Sequence, residues 1–179
     1  MGITFGMVPA GIADVAPWRS WDSAAEGLLR LLHEHVGWDL WMVTCVSESR
    51  QTVLHSHPEG LVRPGAALPW ERSLCRQMVE GTAPRMATVT AAVPEYASLT
   101  TGPLRDAAAY VGVPIVAPDG SLFGTLCGVA FRARPRSAAR ELPVIEACAR
   151  VLSTLLAAGM PVGPAPTATG RRPTPPRRR

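Results

Sequence analysis

The chain has 179 residues, 47% of them apolar and 18% charged, which is one domain's worth of protein with enough apolar surface to bury a core. All 14 acids and 13 of the 18 basic residues, every one an arginine, precede Val151, while Arg171, Arg172, Arg177, Arg178 and Arg179 crowd the end, so the net charge of +4 belongs to a tail. This excludes a basic nucleic-acid-binding face on the body beyond weak contact through that tail. No apolar run approaches the roughly 18 residues of a membrane span, and no basic residue before Arg19 starts a secretory signal. A cytoplasmic protein without membrane contact is therefore expected.

Residues 1–21 mix Gly, Pro and isolated apolar groups and predict an irregular lead-in. Asp22 then opens DSAAEGLLRLLHEHVG, where Ala25, Leu28, Leu32 and His35 or Val36 recur at helical spacing before Gly37. Asp39 to Val46 and the later TVLHSH, separated by SESRQ, predict an antiparallel hairpin with its turn near Ser49. Trp70 to Glu80 predicts a second helix, with Leu74 and Met78 one turn apart, and Pro84 to Val89 a short strand. From Thr90 to Arg105 runs a long connection without evident secondary structure, the kind of loop that often carries function. Ala108 to Ala117 and Ser121 to Phe131 predict two strands joined through Pro118, Asp119 and Gly120. A last helix is predicted over Ala138 to Ala158, with Leu142, Ile145, Ala149, Leu152 and Leu155 on one stripe and Pro143 near its first turn. After Gly159 come six prolines and five arginines, so residues 159–179 are predicted to be a disordered tail. The element order is that of an α+β protein with a mainly antiparallel sheet.

The run AAYVGVPIVAPDGSLFGTLCGVAF resembles the closing hairpin of a GAF domain, and RPGAALPWERSLCRQMVEGTAPRMA with the later PEYASL is similar to the middle of the same family. The likeness covers residues 22–158 and is nearest to GAF modules of bacterial signalling proteins of the diguanylate cyclase-associated type. It implies a GAF-like α+β fold: a central, mainly antiparallel sheet of about six strands, helices packed on one side, and a small-molecule pocket on the other under the loops. It does not imply a particular ligand or cofactor. The bilin-carrying subset needs a Cys followed by His, and no cysteine here has one; the cyclic-nucleotide signature uses Asn and Lys, and the chain contains neither. With no cyclase output segment in the sequence, a stand-alone sensory or regulatory module is expected, binding a small molecule or a partner protein and without catalytic activity.

Cys45, Cys75, Cys127 and Cys148 show no CxxC spacing, which points away from a zinc knuckle or a disulfide scaffold. Cys75 loosely matches the catalytic position of the GAF-type free methionine sulfoxide reductases, where a helix N-terminus and Arg72 or Arg76 would favour a thiolate. The accompanying upstream cysteines and the Gly-Val-Cys-Gly context are missing. Cys127, at the end of GTLC, is placed to face the same cavity, so the two are read either as a redox pair or as two packed core residues. Trp70, Met78, Tyr96 and Tyr110 complete the predicted pocket lining, each read either as lining or as plain packing, with Tyr96 in the long loop either the principal ligand contact or a plug of that loop against the domain. His55 and His57, two apart on one strand, would share a face with Cys45 and offer a weak alternative metal set. A thiol-dependent enzyme and a ligand-free dimerisation platform are the other two readings. A homodimer through Leu28, Leu32, Leu152 and Leu155 of the first and last helices is expected.

Overall fold

The computed structural model describes residues 15–99 and 104–167. Helix α1 (Trp21–Val36) begins at Ser20, whose hydroxyl accepts from the Ser23 N–H while Ser23 Oγ accepts from the Ser20 N–H, and it stops where Gly37 turns left-handed at φ 71°. Strands β1 (Leu40–Ser47) and β2 (Arg50–His57) form the hairpin expected from the sequence. Its two turn residues, Glu48 and Ser49, stand at φ 49° and 61°, a region that suits glycine or asparagine better than either. The Trp70 N–H fixes this turn by bonding the Ser49 carbonyl at 2.8 Å.

Strand β3 (Ala67–Pro69) is too short to show a period in the sequence. The helix predicted over Trp70 to Glu80 is two pieces, a 3-10 turn (Trp70–Arg72) and α2 (Leu74–Val79). The break falls at Ser73, whose backbone is extended and whose hydroxyl caps α2 through the Cys75 N–H. After β4 (Met86–Ala87), the connection predicted to lack structure contains a 3-10 turn (Thr90–Ala92) and α3 (Pro94–Ala97). Strands β5 (Ala109–Val116) and β6 (Leu122–Ala130) flank the expected turn, where the Asp119 carboxylate accepts from both the N–H and the hydroxyl of Ser121. A 3-10 stretch (Arg136–Glu141) leads into α4 (Leu142–Ala157), and Pro143 sits in its first turn, where no backbone N–H is needed.

The six strands form one antiparallel sheet in the order β3-β2-β1-β6-β5-β4, so the α+β expectation holds. Helices α1 and α4 cover one face around Trp21, Trp38, Trp41, Ile115 and Leu126, all fully buried. The Trp21 indole N–H reaches across to the Leu152 carbonyl at 3.0 Å and locks the two helices together. The other face is covered by α2, α3 and their connections, around Leu40, Met42, Val53, Leu74, Met78, Tyr96, Tyr110 and Cys127. Strands β1 and β6 meet so closely at the centre that a Cβ on Gly124 would lie 1.8 Å from the Thr44 carbonyl oxygen. Among the described residues, no helix is long and apolar enough to cross a membrane.

Two expectations change. The segment predicted to leave the body at Gly159 stays attached through Gly163: the Pro161 carbonyl accepts from the Trp21 N–H, the Gly163 N–H donates to Asp22 at 2.7 Å, and Met160 and Val162 pack on the core. Residues 1–14 of the lead-in and 168–179 of the tail lie outside the described residues. Leu28, Leu32 and Leu152, expected at a dimer face, point into the core with Leu155 packed beside them, and the large apolar groups that α1 and α4 expose are Leu31, Val144 and Val151. Relief of the turn strain is measurable: Ser49→Gly should raise the unfolding free energy by about 0.5–1 kcal/mol in urea melts, because a left-handed residue with a Cβ is replaced by one without.

Candidate functional site

On the sheet face away from α1 and α4, α2 and the chain before it enclose a cavity of about 250 Å³. Met42, Val53, Val62, Leu74, Leu99 and Leu104 give it apolar walls, Cys75, Tyr110 and Cys127 give it a floor, and the exposed Ala67, Pro69 and Arg72 stand at its rim. Strand alternation brings Met42 and Cys127 to this face as direct partners across β1 and β6, while the first turn of α2 brings Cys75. Gly112, two residues beyond Tyr110 on the same face of β5, makes room for the tyrosine to fold over it. A Cβ there would stand 2.1 Å from the Tyr110 hydroxyl. With that space open, the hydroxyl donates to Cys75 Sγ at 3.1 Å.

The buried groups behind the sulfur have one consistent set of proton directions. Ser73 Oγ donates to Gln51 Oε1. Gln51 Nε2 donates to Thr44 Oγ1 at 2.9 Å and to Thr125 Oγ1 at 3.2 Å. Thr44 and Thr125 hydroxyls lie 2.8 Å apart, and Thr125 directs its own proton to Cys75 Sγ at 3.2 Å. The relay ends on sulfur, which is therefore an acceptor. Hydrogen bonding from the Cys127 thiol, with Thr125, Tyr110 and Gln51 adding to it, outweighs burial and lowers the Cys75 thiol to about 6. The same contact with Cys75, followed by burial, pushes Cys127 well above the usual thiol range, so the pair gives up one proton and keeps the other. Burial, reinforced by the Cys75 charge, raises both Tyr96 and Tyr110. The arginines expected to help do not: Arg76 is held by Glu80 at 2.7 Å, and Arg72 stands at the rim.

Of the six residues predicted to line a pocket, Cys75, Tyr110 and Cys127 meet at the cavity floor. Trp70 is half-buried against the outside of this core, and Met78 is buried beside Gly112. Tyr96 is a structural plug rather than a lid contact. It is fully buried in α3, its ring meets Tyr110 edge-on at a centroid distance of 5.0 Å, and its hydroxyl donates to the Pro84 carbonyl. The segment that carries it borders the cavity through Leu99 and Leu104 instead. His55 and His57 lie opposite Val43 and Trp41, on the α1 side of the sheet. There His55 bonds Asp22 at 2.8 Å and His57 meets His33 edge-on; among the described residues no three His, Cys, Asp or Glu side chains converge on a metal site. Gln51, Ser73, Thr44 and Thr125 escaped the sequence reading, although a Gln inside a strand and a Ser at a helix start are both visible there.

The fold and this cavity define a class: the chain has the GAF fold. Among solved structures, the free methionine-R-sulfoxide reductase from Neisseria meningitidis, in complex with its substrate, is similar at 17% identity and a TM-score of 0.62, over 82% of this chain and 83% of that one. The GAF domain of a two-component sensor histidine kinase from Bacillus halodurans matches at 15% and 0.57, over 80% of this chain and 100% of that one. The GAF domain of a phosphoenolpyruvate-protein phosphotransferase from Coxiella burnetii matches at 17% and 0.58, over 82% and 89%. No protein-family model matches the sequence, and no curated protein matches it.

Two measurements follow from this geometry. Tyr96→Ala should destabilise the domain by roughly 3 kcal/mol or more, as expected for a fully buried aromatic, whereas a lid contact would leave the unfolding free energy almost unchanged. Alkylation of Cys75 should rise through pH ~6 and level off above it, and Tyr110→Phe should move that midpoint up by about one pH unit through loss of one donor. Because the folded thiol ionises below the unfolded one, this group adds stability as pH rises from about 6 towards the usual thiol range and loses it as pH falls through 6.

Proposed function

We propose that this GAF-fold domain is a cytoplasmic sensory or regulatory module of bacterial signal transduction, binding a small, mainly apolar molecule and passing its state to a partner protein or a second copy. The observation that carries the reading is the cavity, whose apolar walls surround a few convergent polar groups. Its chemistry narrows the ligand. Among the described lining residues Arg72 is the one formally basic side chain and no Asp or Glu is present, and Arg72 has no ion-pair partner among the described residues. A neutral molecule, or one with a single carboxylate that can reach the rim, matches this set.

Thiol-dependent reduction of free methionine sulfoxide is the second reading, favoured by Cys75 and Cys127 lining one cavity and by the reductase from Neisseria meningitidis among similar structures. The cavity argues against it, because an amino acid brings an ammonium group, no Asp or Glu is among the described lining residues, and the Cys75 sulfur already accepts from Tyr110 and Thr125. In an NADPH-coupled assay with thioredoxin, wild type and Cys75→Ser should show the same background with free methionine sulfoxide; Cys75-dependent turnover would establish the enzyme. Native mass spectrometry of the full chain purified from its own host should show a retained small molecule that Ala66→Phe, which fills the cavity, lacks. A wild-type mass equal to that of the bare chain would remove the sensing reading.

A further inference from the structure

The Cys75 and Cys127 pair is more than packing needs. Two core cysteines would be inert if buried among aliphatic groups, as Cys148 is, where burial only raises the thiol. Here one sulfur receives hydrogen bonds from the Tyr110 and Thr125 hydroxyls at 3.1 and 3.2 Å and lies with the second thiol in the lining of one cavity that opens at an exposed rim. A nucleophile, hydroxyl donors that can turn to an incoming oxygen, a resolving thiol and an apolar approach occur together. We propose that Cys75 and Cys127 are a dithiol site oxidised to a disulfide by small organic hydroperoxides admitted to the cavity, which would make the domain a hydroperoxide sensor. This deepens the sensing reading and rests on the cavity admitting apolar molecules.

The chemistry balances. The Cys75 thiolate attacks the terminal oxygen of ROOH; the S–O bond forms, the O–O bond breaks, and the alkoxide leaves and is protonated to ROH. Sulfur is oxidised by two electrons to the sulfenic acid, and the peroxide is reduced by two. Cys127 then attacks that sulfur, the S–S bond forms, and the hydroxyl leaves with the Cys127 proton as water. The Tyr110 and Thr125 hydroxyls stabilise the thiolate before attack and the departing oxygen during it. Apolar walls favour ROOH over hydrogen peroxide, since a hydrocarbon group buried there gains what the smaller oxidant lacks. An alkylating electrophile would need only one thiol, which leaves Cys127 without a role.

The test uses the full reduced chain, cumene hydroperoxide and hydrogen peroxide as oxidants, and 2-phenylpropan-2-ol as a redox-inert molecule of the same shape. After oxidation and N-ethylmaleimide quenching, peptide mapping should show one Cys75–Cys127 link with Cys45 and Cys148 alkylated, formed roughly tenfold faster by the organic hydroperoxide and reversed by dithiothreitol. Cys127→Ser should stop at a Cys75 sulfenic acid trapped by dimedone. The alcohol should slow alkylation of Cys75 in wild type. If the alcohol protects Cys75 but cumene hydroperoxide leaves both thiols reduced or oxidises Cys45 first, the dithiol site is wrong while the binding cavity stands. If the alcohol gives no protection and neither oxidant links the pair, both fall. Linking at equal rates by the two oxidants overturns the assignment to organic hydroperoxides. The wild-type linkage reports on the dithiol site without any variant having to fold.

Discussion

A central antiparallel sheet covered on both faces has to send alternate residues of each strand into two different cores, and that constraint shapes the rest of this molecule. On β1, Trp41 and Val43 enter the core beneath α1 and α4 while Leu40 and Met42 enter the opposite one. On β5, Val111 and Val113 belong to the first core and Tyr110 to the second; on β6, Leu126 and Cys127 divide in the same way. The two cores are not equivalent. Two sixteen-residue helices with three buried tryptophans fill the first, and only short helices and loops, carrying a polar cluster, cover the second. A cavity on the thinly covered side follows from this asymmetry, because short elements cannot tile a whole sheet face at close-packed density.

Within that weaker core, small residues decide what the large ones can do. Gly112 gives up its side chain so that Tyr110 can bend its hydroxyl onto Cys75. Gly124 gives up its own so that β6 can approach β1 closely, with Thr125 and Thr44 hydroxyls 2.8 Å apart. Without that approach the relay from Ser73 through Gln51 to the threonines would have no end point at sulfur. Burying a thiolate is costly, and the donors grouped around Cys75 are what keep it ionised there. Each of them is itself held by strand pairing or by the cap of α2, so the charge is maintained by the fold and not by a counter-ion.

Much of the fold could be read from the sequence because its longest elements have clear signals. Gly37 ends α1, a Pro-Asp-Gly turn joins β5 to β6, and the two long helices carry leucines at helical spacing. The errors occur where tertiary contacts override local pattern. Ser73 splits one predicted helix into two because its hydroxyl caps the second. Pro94 starts a short helix inside a segment that looked like loop, and this helix takes Tyr96 inward. The site is half legible: Cys75 matches a family catalytic position, Cys127 ends GTLC, Tyr110 lies in the closing-hairpin motif, and all three reach the floor. Thr44, Gln51 and Thr125 were missed because a hydroxyl or amide inside a strand usually faces solvent, and its partner on another strand, 81 residues away for the two threonines, has no local signature.

The hydrogen-bonded sulfur and the apolar walls around it together restrict what can enter the site. A negative sulfur in an apolar enclosure repels a second buried anion, and a cation would have to shed its water there with no Asp or Glu among the described lining residues to replace it. An ion-pairing ligand would have to stop at Arg72, on the rim and in water, where a guanidinium adds orientation more than affinity. Selection at the floor is thus by size and apolarity, and discrimination by chemistry is left to the sulfur. That division differs from a site built to recognise a zwitterion, which needs a carboxylate for the ammonium group as well as a cation for the carboxylate fixed in the walls. A fold shared by a sulfoxide reductase and by a signalling GAF domain thus carries here a hydrogen-bonded thiol at the floor of a mainly apolar cavity.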